Sequence, residues 1–118
     1  MTVKEIADKS LSRSNRWHNG DMNNWSALEW AGAMAGEAGE ACNAAKKLKR
    51  LDDGIPSIDE LERNITDREI AKLKIGLEAA DTIMYAFCLA ARVGVDIEEC
   101  IRLVFNRKSE EYGFPERL

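Results

Sequence analysis

Val3, Ile6, Ala7 and Leu11 recur at helical spacing with Lys, Glu, Asp and Arg between them, so residues 3–16 read as an amphipathic helix. Residues 17–24, WHNGDMNN, interrupt that pattern with Gly, Asp and Asn and read as a loop, which holds the only histidine, His18. Ser26 and Glu29 have the form of a capping box, and Trp25 is placed to pack on Trp30 as a hydrophobic staple, so a second helix begins near residue 26. It extends to about residue 50, where Lys46, Lys47, Lys49 and Arg50 suit the negative end of the helix dipole. Residues 51–65 break the pattern with DDG and Pro56, although Ile58, Leu61 and Ile65 are spaced for a short helix of their own. Thr66 and Glu69 repeat the capping-box form and open a long helix to about residue 93, with Gly94 as its stop. Asp96 and Glu99 mark a last helix to about residue 111, with Ile97, Ile101, Leu103, Val104 and Phe105 expected on its buried side, before a turn-like tail, YGFPERL. No alternating pattern of strand type competes with these periods, and the prediction is an all-α bundle of four or five helices.

Two stretches fit that pattern least well. Residues 31–45, AGAMAGEAGEACNAA, are small and apolar apart from Asn43 and two acids, Glu37 and Glu40. Residues 75–91, IGLEAADTIMYAFCLAA, carry Glu78 and Asp81 as their only charges, at the same spacing. Positions i and i+3 share one helix face, so each pair projects together from a surface otherwise made for burial. Like charges there are costly unless a cation meets them. Gly32, Gly36 and Gly39 each weaken an isolated helix by about 1 kcal/mol relative to Ala, which predicts close approach by a neighbouring helix or a ligand.

Composition narrows the class without changing this reading. The chain of 118 residues is 45% hydrophobic and 32% charged with only 2 prolines, as expected of a single helix-rich globular domain spanning residues 1–118. A net charge of -4 argues against a nucleic-acid polymer as partner, and no apolar run approaches the ~18 residues that would make a membrane one. Cys42, Cys88 and Cys100 form no CxxC pair and sit in apolar surroundings, so buried thiols in a reducing compartment are expected. With no apolar signal core in MTVKEIADKS, the expected location is cytoplasmic. Trp17, Trp30, Met34, Met84, Tyr85 and Phe87 are expected in the core, whereas Trp25 is either a staple or a surface on which a base stacks.

Four carboxylates gathered in one bundle cannot all stay ionised without a strong cation. An all-oxygen ligand set suits Mg²⁺, Mn²⁺ or Ca²⁺, whereas zinc recruits Cys or His. Di-iron bundles use two Glu-x-x-His motifs, and the one histidine here lies outside both acidic stretches, which leaves Mg²⁺ as the better fit. Mg²⁺ on carboxylates keeps waters and accepts phosphate oxygens. Lys46 and Lys47, two turns past the first pair, and Asn106, Arg107 and Lys108 on the last helix are candidates to hold the remaining phosphates.

Glu37-x-x-Glu40 followed by Glu78-x-x-Asp81, with the stretches WSALEWAGAMAGEAGEACNAAKKL and FNRKSEEYGFPERL, resembles the MazG-like branch of the all-α nucleoside triphosphate pyrophosphohydrolases, over nearly the whole chain. The resemblance implies Mg²⁺-dependent cleavage between the α and β phosphates of a nucleoside triphosphate, releasing a monophosphate and pyrophosphate. It implies metal binding by Glu37, Glu40, Glu78 and Asp81, with Glu37 or Glu40 also accepting a proton from the attacking water. It places Asn106 and Lys108 near the nucleotide, alongside Trp25 and Lys47 from the reading of the residues, and it implies a homodimer or homotetramer. The separation of Glu40 from Glu78 is longer than the family commonly shows, because of the insert at 51–65. Other classes remain open on the residues alone: a non-catalytic helical interaction module with a structural metal, or a carboxylate-bridged redox bundle holding iron or manganese.

Overall fold

Several of the described helix ends are set by local hydrogen bonding. In a computed structural model that describes residues 1–55 and 68–118, the chain is all-α, with no strand among those residues. Helix α1 spans Val3–Trp17, a 3-10 turn spans Met22–Asn24, α2 spans Ala27–Asp52, α3 spans Arg68–Arg92 and α4 spans Ile97–Tyr112. Thr2 caps α1 in a full capping box with Glu5, a signal that the apolar periodicity alone does not reveal. The Ser26 box forms as expected: the Glu29 N–H donates to Ser26 Oγ at 3.2 Å, and the Ser26 N–H donates to the Glu29 carboxylate at 2.6 Å. That backbone bond, with the Ser26 hydroxyl, holds the Glu29 carboxyl below its usual range. Gly94 ends α3 at φ +74°, a left-handed conformation that a side chain disfavours. The Asp96 carboxylate accepts from the Glu98 and Glu99 N–H groups at 2.9 and 3.3 Å and starts α4. The expected short helix at Ile58, Leu61 and Ile65 and the Thr66 cap lie outside the described residues.

The chain divides into two compact units, with the boundaries inside α2 and α3. The first comprises Met1–Trp30 and Ala86–Leu118. Its core is Met22, Trp30, Phe87, Cys88 and Ala90, with Trp30 only 2% exposed. The expected loop contains the 3-10 turn and is fastened on several sides. The Met22 N–H donates to Asn15 Oδ1 at 2.9 Å, the Trp30 indole N–H donates to the Met22 carbonyl at 3.2 Å, and Arg92 Nε donates to the Trp25 carbonyl at 2.7 Å. The buried Ser14 hydroxyl bonds the Cys88 sulfur at 3.0 Å. The tail turns at Gly113 and returns to α4, where the Leu118 N–H donates to Asn106 Oδ1 at 2.9 Å.

Several burial expectations fail in this unit. Trp17, the last residue of α1, is 75% exposed, with the Arg13 guanidinium 5.7 Å from its ring, although it shares a helix face with the buried Ser10 and Ser14. Ile101, Leu103, Val104 and Phe105 are exposed rather than buried. Ile101, Val104 and Phe105, with Ile97, Tyr112 and Phe114, line an open groove of about 660 Å³.

The second unit comprises Ala31–Tyr85. Within it Asp52 meets Arg68 at one end and Glu37 meets Glu78 and Asp81 at the other, so the two helical segments run antiparallel. The buried residues at the seam are Ala44 and Ala71, whose small side chains allow close approach. Gly32, Gly36 and Gly39 do not serve that purpose: a Cβ added at any of them meets nothing within 4 Å. Cys42 is exposed, against expectation, because it lies two residues from both Glu40 and Ala44 and so points off the seam; Cys88 is buried and Cys100 half-buried.

Arg68 donates to both Asp52 oxygens, at 2.7 and 3.3 Å, and its side-chain hydrogen bonds hold the Asp52 carboxyl below its ordinary value. The stabilisation from this pair is therefore present above the unfolded carboxyl value of about 4 and is lost as the pH falls through the lower folded value. Asp52→Asn should lower the melting temperature slightly at pH 7 and low salt, since both partners are exposed. The deficit should shrink below about pH 4 and vanish in stronger acid. Circular dichroism melts of both proteins across pH check this, and an equal deficit at every pH counts against it.

Candidate functional site

The acidic pairs are positioned by the seam of the second unit. Positions 37, 40, 44 and 47 follow the 3, 4, 3 spacing of one helical stripe on α2, and 71, 74, 78 and 81 follow the same spacing on α3. Because the stripes run antiparallel, the acids of α2 face the acids of α3. Carboxylate oxygens of Glu37, Glu78 and Asp81 all lie within 4.8 Å of one another. Glu37 and Glu78 are half-buried and Asp81 is exposed. The Glu78 carbonyl accepts from the Thr82 hydroxyl at 3.0 Å.

Glu40 does not join this trio. It is exposed and borders a small polar cleft of about 60 Å³, together with Glu78, Asn43, Lys47 and Lys74. Lys47, one of the residues expected to hold phosphate, lies on the same stripe as the acids. Asn43 and Lys74 are not among the site residues expected from the sequence, although Lys74 stands one turn before Glu78, at the stripe spacing.

The remaining candidates belong to the first unit. Trp25 is half-buried and packs its ring against His18 and Trp30 at centroid distances of 4.9 and 4.8 Å, so the staple is present. The His18 Nδ1 is bonded to Asn24 Oδ1 at 2.7 Å, which makes this histidine part of the loop's own scaffold. Asn106 binds the backbone of Leu118 through both ends of its amide, and Lys108 pairs with Glu111 at 3.0 Å. Both side chains thus have internal partners.

The chemistry open to the trio follows from its donors. Three carboxylates at this spacing repel one another and offer only hard oxygen ligands, with neither His nor Cys among them. Such a set fits a hard divalent cation and is unsuited to zinc. Comparisons with protein-family models, with curated proteins and with solved structures found nothing that matches the chain.

Two like charges about 5 Å apart in water-like surroundings cost about 1 kcal/mol. In chelator-treated protein at low salt, Glu37→Gln should therefore raise stability by up to about that amount, and salt should narrow the gain. Thermal melts of both proteins measure it; a Glu37→Gln protein less stable than its parent contradicts mutual repulsion at the trio.

Proposed function

We propose that the chain is a Mg²⁺-dependent nucleoside triphosphate pyrophosphohydrolase of the MazG-like all-α kind, which cleaves the α–β phosphate bond to give a nucleoside monophosphate and pyrophosphate. The observation that carries this reading is the convergence of Glu37, Glu78 and Asp81, from two separate acidic motifs, on a span of 4.8 Å. The all-carboxylate donor set fits Mg²⁺, with Mn²⁺ as a substitute, held by Glu37, Glu78 and Asp81 with Glu40 beside them. When bound, the ion supplies a Lewis acid for phosphate oxygens.

The chain's own residues supply the rest. Glu40, exposed at the cleft and without an ion pair among the described residues, accepts the proton of the attacking water at its carboxylate. The water oxygen bonds to the α phosphorus as the bridging oxygen leaves with pyrophosphate. Lys47 holds phosphate oxygens from the same stripe. Trp25, Asn106 and Lys108, expected from the sequence to bind substrate, belong to the first unit, where they have partners of their own. Homodimer or homotetramer assembly belongs to the same reading, and the exposed apolar row on α4 supports it. A non-catalytic interaction module with a structural metal is the second reading, favoured by the apolar groove on α4.

A panel of nucleoside triphosphates assayed for pyrophosphate release separates the two. The expected result is turnover that requires Mg²⁺ and falls at least about 100-fold in Glu78→Gln and Asp81→Asn while helicity persists. No release from any member of the panel favours the module. Sedimentation should show a species of two or four chains, and a monomer at every concentration counts against assembly.

A further inference from the structure

The first unit holds a concavity that belongs neither to the acidic motifs nor to the α4 groove. A cavity of about 340 Å³ opens where α1, the end of α3 and the start of α4 meet, and every residue lining it belongs to that unit. Its walls are largely apolar: Phe87 and Ala90 are buried, and Ala7, Leu11 and Ala91 are half-buried. The three alanines account for the space, because none of their side chains extends far enough to close it. Packed interiors leave few voids larger than a water molecule, whereas small-molecule sites begin at about 300 Å³.

Four charged side chains border the same cavity, Lys4 and Asp8 from α1 with Asp96 and Glu98 from the start of α4. Lys4 pairs with Asp8 at 2.8 Å and Glu98 with Arg102 at 3.5 Å, which leaves Asp96 as the carboxylate without an ion pair among the described residues. Its Oδ1 accepts the Glu98 and Glu99 N–H groups, and its Oδ2 makes no hydrogen bond among the described residues. The opening already favours one ammonium group: the Asp8 hydrogen bond and charge, with the charges of Asp96 and Glu98 added, hold Lys4 above its ordinary value. An anion has little to gain at the α4 N-terminus, since Asp96 occupies the Glu98 and Glu99 N–H groups there.

We infer that this cavity binds a small organic ammonium ion, its apolar body against Leu11, Phe87 and Ala90 and its cationic group at Asp96 Oδ2. The apolar wall and the open carboxylate oxygen select together. A neutral molecule of the same shape gains the wall contacts alone, and an anion is repelled by the carboxylates at the opening. Lys4 competes for that opening, so its charge sets the affinity from within the chain. The site lies in the unit that does not carry the acidic trio, and its occupancy is independent of nucleotide hydrolysis.

The test titrates the isotope-labelled full chain at pH 7 with three probes of similar shape, 2-phenylethylammonium, 2-phenylethanol and 3-phenylpropionate. Amide chemical shifts report both affinity and place. The ammonium should bind at least about 10-fold more tightly than the alcohol, as a charge-assisted hydrogen bond requires, and the carboxylate more weakly than either. The shifts should centre on residues 7–11, 87–91 and 95–98. Asp96→Asn keeps a residue that caps a helix and so should fold; it should weaken the ammonium about 10-fold and leave the alcohol within about twofold. Ala91→Leu, which fills the cavity, should weaken both, and Lys4→Gln should tighten the ammonium about threefold by removing a like charge. Equal affinity for ammonium and alcohol, unchanged ammonium binding in Asp96→Asn, or weaker ammonium binding in Lys4→Gln overturns the inference. Shifts centred on Phe105 and Tyr112 of the α4 groove, or no binding of the ammonium at all, overturn it as well.

Discussion

Repulsion among carboxylates is the constraint around which the second unit is built. Three of them lie within 4.8 Å, and nothing cationic in the described chain is paired with them. The helices that carry them are nonetheless held together, by alanines at the seam and by the doubly bonded Arg68 and Asp52 at the far end. Cohesion and charge are thereby separated along one pair of helices. A seam lined by larger side chains would hold the helices further apart and relax the repulsion.

The first unit solves the opposite problem. It must hold an irregular loop, residues 18–26, against a core of few large side chains, and it does so by using polar groups as fasteners. Asn15, Asn24, the Trp30 indole and Arg92 each bond a backbone group or side chain of that loop, and the three rings of His18, Trp25 and Trp30 lie mutually within 4.9 Å. Met22, the buried residue of that loop, has both its N–H and its C=O bonded, and leaving either without a partner there would be costly.

How much of this could be read from the residues depended on range. Ser26 with Glu29, Asp96 with α4 and Gly94 are legible because a cap is decided within four residues. The two acidic pairs were legible as pairs for the same reason, and their common stripe followed from helical spacing. Burial was not. Trp17, the apolar row of α4, Cys42 and the three glycines were misplaced because each depends on whether another part of the chain arrives to cover it, and amphipathic spacing states only what could be covered. The departure of Glu40 from the trio has a similar cause: i and i+3 share a face, but only one of two such residues need face the partner helix closely. Lys74 is legible by the same spacing, one turn before Glu78 on the stripe.

Trp17, Trp25 and Trp30 all fall in the first unit, and residues 31–85 contain no tryptophan. Indole emission from this chain is consequently an optical record of one half of the molecule. The acid-bearing helical segments carry no indole of their own, and their aromatic reporter is the phenol of Tyr85. Spectroscopy of the site therefore begins with an indole introduced on the exposed face of α2 or α3.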